Sequence, residues 1–281
     1  MPAAPAASKA TPDSADPAPS ERRRRRVLAG CGVAFAALLA VAALAPLPFA
    51  VTEPGMTADV LGEHDGSPVI RIEGAETLPS AGELRMTTIN ATSPDATVRL
   101  ADVIGGYFAD DRAVLPRESV YPVGDSPEEI RDHNEEQMRS SQDAAVTAAL
   151  GYLGRSDEGV EVELNLSDVG GPSAGLLFSL GVVALLDGDG SGGDLTGGEV
   201  IAGTGTIDAE GRVGAVGGVP LKTHAARDDG ATVFLVPRDE CSAAEGNAPD
   251  GLRLVPVETL EGAVDSLRAL ASGDDGAVPA C

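Results

Sequence analysis

An α+β fold behind one N-terminal apolar helix is what this sequence predicts, and three observations carry that reading. Nineteen uncharged residues, Val27 to Ala45, follow a run of five arginines, Arg22 to Arg26. Beyond them, stretches with the two-residue period of strands mix with stretches of helical period, without strict alternation. One segment, Ser173 to Leu186, is apolar all round and reads as a helix buried in a core. The 281 residues leave room for one large or two small domains.

Residues 1–26 open on an Ala/Pro/Ser-rich stretch without apolar period and read as a disordered cytoplasmic tail. Residues 27–49 read as a transmembrane helix, since nineteen residues at about 1.5 Å each span a hydrocarbon core. The arginines before it place the N-terminus in the cytoplasm and the rest of the chain outside. The other reading is a cleaved signal peptide ending at Ala43-Leu44-Ala45, against which Pro46 stands. Both readings export the bulk of the chain. From residue 51 onward there are 14 Arg+Lys against 41 Asp+Glu, a net charge of −27. Such a surface repels nucleic acid and anionic membrane, so neither is expected as a partner.

Residues 50–125 read as a β-rich first part of the ectodomain. Residues 51–65, with Pro54-Gly55, read as a linker into a first strand. Pro68–Ile72 and Gly82–Asn90 alternate as half-buried strands do. Val98–Phe108 fits a short helix or a strand, and Pro116–Val123 a connection. Residues 126–272 form the second part. Ser126-Pro-Glu-Glu129 is a helix start with Ser as cap, Pro at the first helical position and Glu three residues after the cap. That helix should reach Leu153 and stop at Gly154. Val160–Leu166 alternates cleanly as a strand. Asp187–Gly198 is a Gly/Asp loop. Glu199–Ile207 and Arg212–Val216 read as strands joined at Asp208–Gly211. A helix over Pro220–Asp229, strands over Thr232–Val236 and Arg253–Val257, and a helix over Thr259–Ala271 complete the pattern. Residues 273–281 read as a tail.

Two positions stand out chemically. Ser173 sits where the glycine-rich turn Gly170-Gly-Pro172 enters the apolar helix. Taken alone it reads first as a helix cap, because caps are common, and only second as a nucleophile, because a serine hydroxyl needs a base and an oxyanion site to react. The helix start offers bare N–H groups for that oxyanion. Lys222 is one of two lysines, with Lys9, in a chain that otherwise uses arginine. Arginine does not give up its proton, whereas a lysine buried against apolar neighbours does. The three histidines, His64, His133 and His224, lie in no Gly-rich or apolar setting, and no Ser/His/Asp pattern emerges. Gly217–Thr223 lacks the spacing of a phosphate loop, so no nucleotide is expected. Asp187–Gly192 opens like a calcium loop but carries Gly198 where the closing glutamate belongs. Cys31 lies in the apolar segment. Cys241 and Cys281 lie outside, without a nearby His or Cys cluster, and point to a disulfide and not a metal site, the other reading being a free thiol on a mobile tail.

Gly171-Pro-Ser-Ala-Gly175, Leu195-Thr-Gly-Gly-Glu-Val200, Gly203-Thr-Gly-Thr-Ile207, Gly211-Arg-Val-Gly-Ala-Val-Gly-Gly218 and then Lys222, in this order, resemble the proteolytic domain of Lon-type serine–lysine peptidases. The anchor, the Pro54-Gly55 entry and the long helix from residue 126 extend the likeness to the exported, membrane-anchored Lon-like proteins. The resemblance implies a Lon proteolytic-domain fold over 126–272 and an ATP-independent serine endopeptidase that cuts unfolded or flexible protein segments. It makes Ser173 the nucleophile and Lys222 the general base. Thr196, on the family's Thr-Gly position, would orient the lysine, and backbone N–H groups near Gly171 and Ala174 would hold the oxyanion. No cofactor is implied, and ring assembly of like copies is. The chain departs from the pattern at Gly170, where the family usually carries an acid. It leaves no room for a PDZ domain between Leu153 and Val160 and carries no ATPase module. The alternative is a scaffold that keeps the fold without turnover.

Overall fold

The computed structural model describes residues 19–109, 111–123, 126–156, 158–166 and 171–281. Most of the expected tail, and the turn residues Asp168 to Gly170, lie outside the described residues. In chain order the elements are α1 (Pro19–Leu44), β1 (Phe49–Asp59), β2 (Glu63–His64), β3 (Ser67–Pro68), β4 (Ile70–Glu73) and β5 (Glu83–Ala91). Next come α2 (Leu100–Tyr107), β6 (Ala113–Pro116), α3 (Arg117–Val120), α4 (Pro127–Leu153) and β7 (Glu161–Leu164). Then follow α5 (Gly175–Leu186), β8 (Val200–Gly203), β9 (Thr206–Ile207), β10 (Val213–Gly214) and α6 (Val219–Asp228). The last are β11 (Val233–Pro237), α7 (Cys241–Glu245), β12 (Arg253–Val257) and α8 (Leu260–Ser272).

The class is α+β. A curled six-stranded sheet runs in the order β12-β11-β8-β5-β1-β6. β12, β11, β8 and β5 are parallel neighbours, while β1 pairs antiparallel with β5 and β6. Alternation along β11 divides the core between two faces, because successive side chains of a strand point to opposite sides. Val233 and Leu235 join the larger cluster with α4, α5 and α8, whereas Phe234 and Val236 join the smaller one with α6 and α7. The fold is therefore helices on both sides of one sheet. α5 runs through the larger core with Leu176, Leu177, Phe178 and Leu180 wholly buried. Replacing Phe178 with alanine should cost about 3–5 kcal/mol of stability, read from a urea unfolding curve.

Several expectations change. Residues 51–65 are not a linker: β1 starts at Phe49 and lies inside the sheet. Pro54-Gly55 falls at a break in the β1–β5 register, a bulge and not a turn. Gly55 is required there, because a Cβ would stand 2.3 Å from Thr88 Oγ1. Residues 19–26 belong to α1 and not to the tail, and α1 ends at Leu44, short of the expected 49. Residues 23–44 form one helix long and apolar enough to cross a membrane, with no part of it buried. Val98–Phe108 resolves as helix α2. Pro116–Val123 holds the end of β6 and the single turn α3.

The long helix is as its signals require. Ser126 Oγ accepts from Glu129 N–H at the start, and Gly154 ends it in the left-handed region. Residues 273–281 are held down: Val278 is buried, the Arg253 guanidinium meets the Asp275 carboxylate, and Cys281 is disulfide-bonded to Cys241 with Cα atoms 5.3 Å apart.

Candidate active site

The turn before α5 is clamped from two sides. Gly171 sits at φ 87°, a conformation that favours glycine. Its N–H donates to Asn134 O at 3.1 Å. Ser141 Oγ, also on α4, donates to Pro172 O at 3.0 Å. From the other side Gly205 N–H and Thr204 Oγ1 both donate to Ser173 O, at 3.0 and 3.3 Å. Four hydrogen bonds thus hold the backbone on either side of the serine.

Ser173 is not the helix cap. α5 begins at Gly175, Ala174 occupies the cap position, and no side chain caps it. The Ser173 hydroxyl makes no hydrogen bond to any described residue and is half-buried. The expected oxyanion pair divides. Gly171 N–H is already spent on Asn134 O, so it cannot serve as placed. Ala174 N–H donates to no described residue and is free to receive a developing negative charge.

Lys222 lies in the second turn of α6. Gly218, at φ 72°, turns the chain into that helix. The side chain is 3% exposed. Burial pulls its pKa down from the ordinary 10.5 to about 8, and the charge of Glu240 opposes the fall. Glu240 itself is pushed up by burial, against the Val216 N–H bond and the charge of Lys222. That bond, from Val216 N–H to Glu240 Oε2 at 3.0 Å, ties the segment beside Cys241 to the turn that leads into α6.

The Lys222 amine donates to Thr204 Oγ1 at 3.0 Å. Thr204 is wholly buried, and its hydroxyl passes the chain of bonds on to Ser173 O. One threonine at the carboxyl end of β8 therefore joins the amine on α6 to the backbone of the serine before α5. These helices lie on opposite faces of the sheet, and the end of β8 is where their layers meet.

Thr196 does not take this role. Its hydroxyl donates to Asp194 Oδ1 at 2.8 Å and accepts from Gly198 N–H at 3.2 Å. Partial burial works against the Asp194 charge, but bonds from Ala81 N–H, from Thr196 N–H and hydroxyl, and from the Ser80 hydroxyl outweigh it and hold its carboxyl down at about 2. Thr196 staples the 187–198 loop to Ser80-Ala81 and makes no hydrogen bond with Lys222. The sequence contains two Thr-Gly pairs, and the second, Thr204-Gly205, directly follows a strand four residues long. That position after a buried parallel strand was the signal for the threonine that meets Lys222.

Beside the turn runs a groove of about 1040 Å³ along α4 and β7, sharing Asn134 with the Gly171 contact. Ile130, Met138 and Leu166 are its buried apolar residues, and Arg71, Glu163 and Arg139 lie along it as well. Among the described residues no group of three or more His, Cys, Asp or Glu side chains is placed to hold a metal. No protein-family model matches the chain.

Proposed function

We propose that the chain is a serine endopeptidase of Lon type, with a Ser173–Lys222 dyad and an N-terminal membrane anchor, α1. The observation that carries this reading is the convergence of Ser173, Thr204 and Lys222 at the end of β8. In the neutral amine, one N–H binds Thr204 Oγ1 and the lone pair remains for the Ser173 proton. Ser173 Oγ then attacks the scissile carbonyl while Lys222 takes that proton, and Lys222 later returns it to the leaving amine. Ala174 N–H, at the bare start of α5, receives the oxyanion. The Ser173 hydroxyl is not hydrogen-bonded to Lys222 in the structure, so this reading requires that contact to form when substrate binds. The rear of the turn stays fixed by Asn134 and Ser141, so the hydroxyl is the part free to move.

A scaffold without turnover has no use for an amine whose burial works against the fold, which favours the enzyme over that alternative. The proteolytic-domain fold over 126–272, an ATP-independent mode and an extracytoplasmic site belong to the same proposal. Unfolded or flexible segments are its expected substrates, as the resemblance implies. Hydrolysis of casein by the purified chain tests the reading. Ser173→Ala and Lys222→Arg should each abolish it, the second because a guanidinium cannot accept the proton. Unchanged turnover in either variant removes the dyad.

A further inference from the structure

α2 carries its apolar side outward. Leu100, Ile104, Tyr107 and Phe108 recur at helical spacing on one face, and they are 37%, 50%, 78% and 79% exposed. Gly106 lies on the other face, buried against Val114 and Val51, so α2 is seated on β1 and β6 with that apolar side turned away from the protein. The rings of Tyr107 and Phe108 meet edge to face, 5.3 Å apart, outside any core. Four exposed apolar side chains on an eight-residue helix and the residue after it need a cover.

What lies next to the patch identifies that cover. α1 ends at Leu44, and only four residues separate it from β1. Within that connection Leu47 N–H donates to Val98 O at 2.9 Å, and Val98 is buried two residues before α2. α1 and α2 touch. Val41 and Leu44, in the last turn of α1, are exposed by about two thirds. The end of the apolar helix and the outer face of α2 are thus neighbours, and both present hydrocarbon. Tyr107, an apolar ring with one polar edge, suits the headgroup boundary of a bilayer, and Phe108 the hydrocarbon just below it.

We propose that the outer face of α2 rests in the interfacial layer of the bilayer that α1 crosses, with Tyr107 and Phe108 as its anchors. The inference rests on reading α1 as a membrane span. The net charge of −27 beyond residue 50 rules out attraction to anionic headgroups as the driving force. The contact is apolar, and zwitterionic lipid suffices for it.

The chain contains no tryptophan, so each reporter introduced is the sole one. The full chain is reconstituted in phosphatidylcholine bilayers whose acyl chains carry bromine either near the headgroup or near the chain end. Phe108→Trp, and separately Tyr107→Trp, should emit at shorter wavelength than in water and lose emission to the shallow bromine more than to the deep one, at low and high salt alike. Leu38→Trp reports α1 and should be quenched by the deep bromine. If Leu38→Trp is quenched while Tyr107→Trp and Phe108→Trp emit as in water, the docking of α2 is overturned and the span stands. If Leu38→Trp is not quenched either, the span reading falls and the docking with it. Shielding of the Phe108→Trp reporter that disappears as protein is diluted in lipid means that a second copy covers the face, which also overturns the proposal.

Discussion

Lys222→Met is expected to end hydrolysis and, below pH 8, to make the chain harder to unfold. The first effect removes the proposed general base, a loss of about 10²–10⁴-fold. The second follows from burial. The amine titrates near 8 in the folded chain against 10.5 ordinarily, so the unfolded chain holds this proton more tightly. Below about pH 8 both states are protonated and the full penalty opposes folding. Between 8 and 10.5 the folded state gives up its proton first and the penalty fades; above 10.5 it is gone. Over that window the wild-type chain should gain roughly 3 kcal/mol from this group as pH rises. The methionine variant has no such slope and should start from the higher level. Urea midpoints at pH 7 and at pH 10 test this: an equal gap between the two proteins at both pH values would mean that Lys222 is not desolvated.

Thr204→Val is expected to lower kcat about 10²-fold with little change in KM. Valine keeps the shape and removes the hydroxyl, so Lys222 loses its hydrogen-bond acceptor and a position fixed relative to Ser173. The Ser173 carbonyl keeps its bond from Gly205 N–H, which limits damage to the turn. An ammonium without that acceptor costs more than an amine does, so the alkaline rise of activity should shift to lower pH. Thr196→Val offers the contrast. It removes the hydroxyl that donates to Asp194 and accepts from Gly198 N–H, and should weaken the 187–198 loop while leaving the pH profile in place. A shift of that profile in Thr196→Val, and none in Thr204→Val, would return the orienting role to Thr196.

That contrast also marks where the sequence could be read and where it could not. Features written in local pattern were legible: the Ser126 cap, the Gly154 stop, the all-apolar α5 and the alternation before the serine turn. So was the pairing of Ser173 with Lys222 as candidates, through the unusual use of lysine. Features that depend on distant neighbours were not. Pro54-Gly55 is a turn signal in isolation, yet the pairing of β1 with β5 on both sides of it makes it a bulge in a sheet. Two Thr-Gly pairs are equivalent until the sheet order puts the end of β8 beside α6. Gly171 looked like an oxyanion donor because nothing local shows that Asn134, on α4, already accepts from its N–H. The outward face of α2 was hidden for the same reason, since a mixed eleven-residue stretch shows its apolar side only once Gly106 is known to sit on β1 and β6.

The burial of Lys222 has a kinetic consequence as well. Residues 49–281 contain a single ε-amine, and it is shut away from water. A small acylating reagent can reach it only in the moments when the surroundings of α6 and β8 part. The rate at which peptide mapping records acylation at Lys222 is then a clock for the opening of the site. The occupied groove, a bound inhibitor or a neighbouring bilayer would each be seen as a change in its tempo.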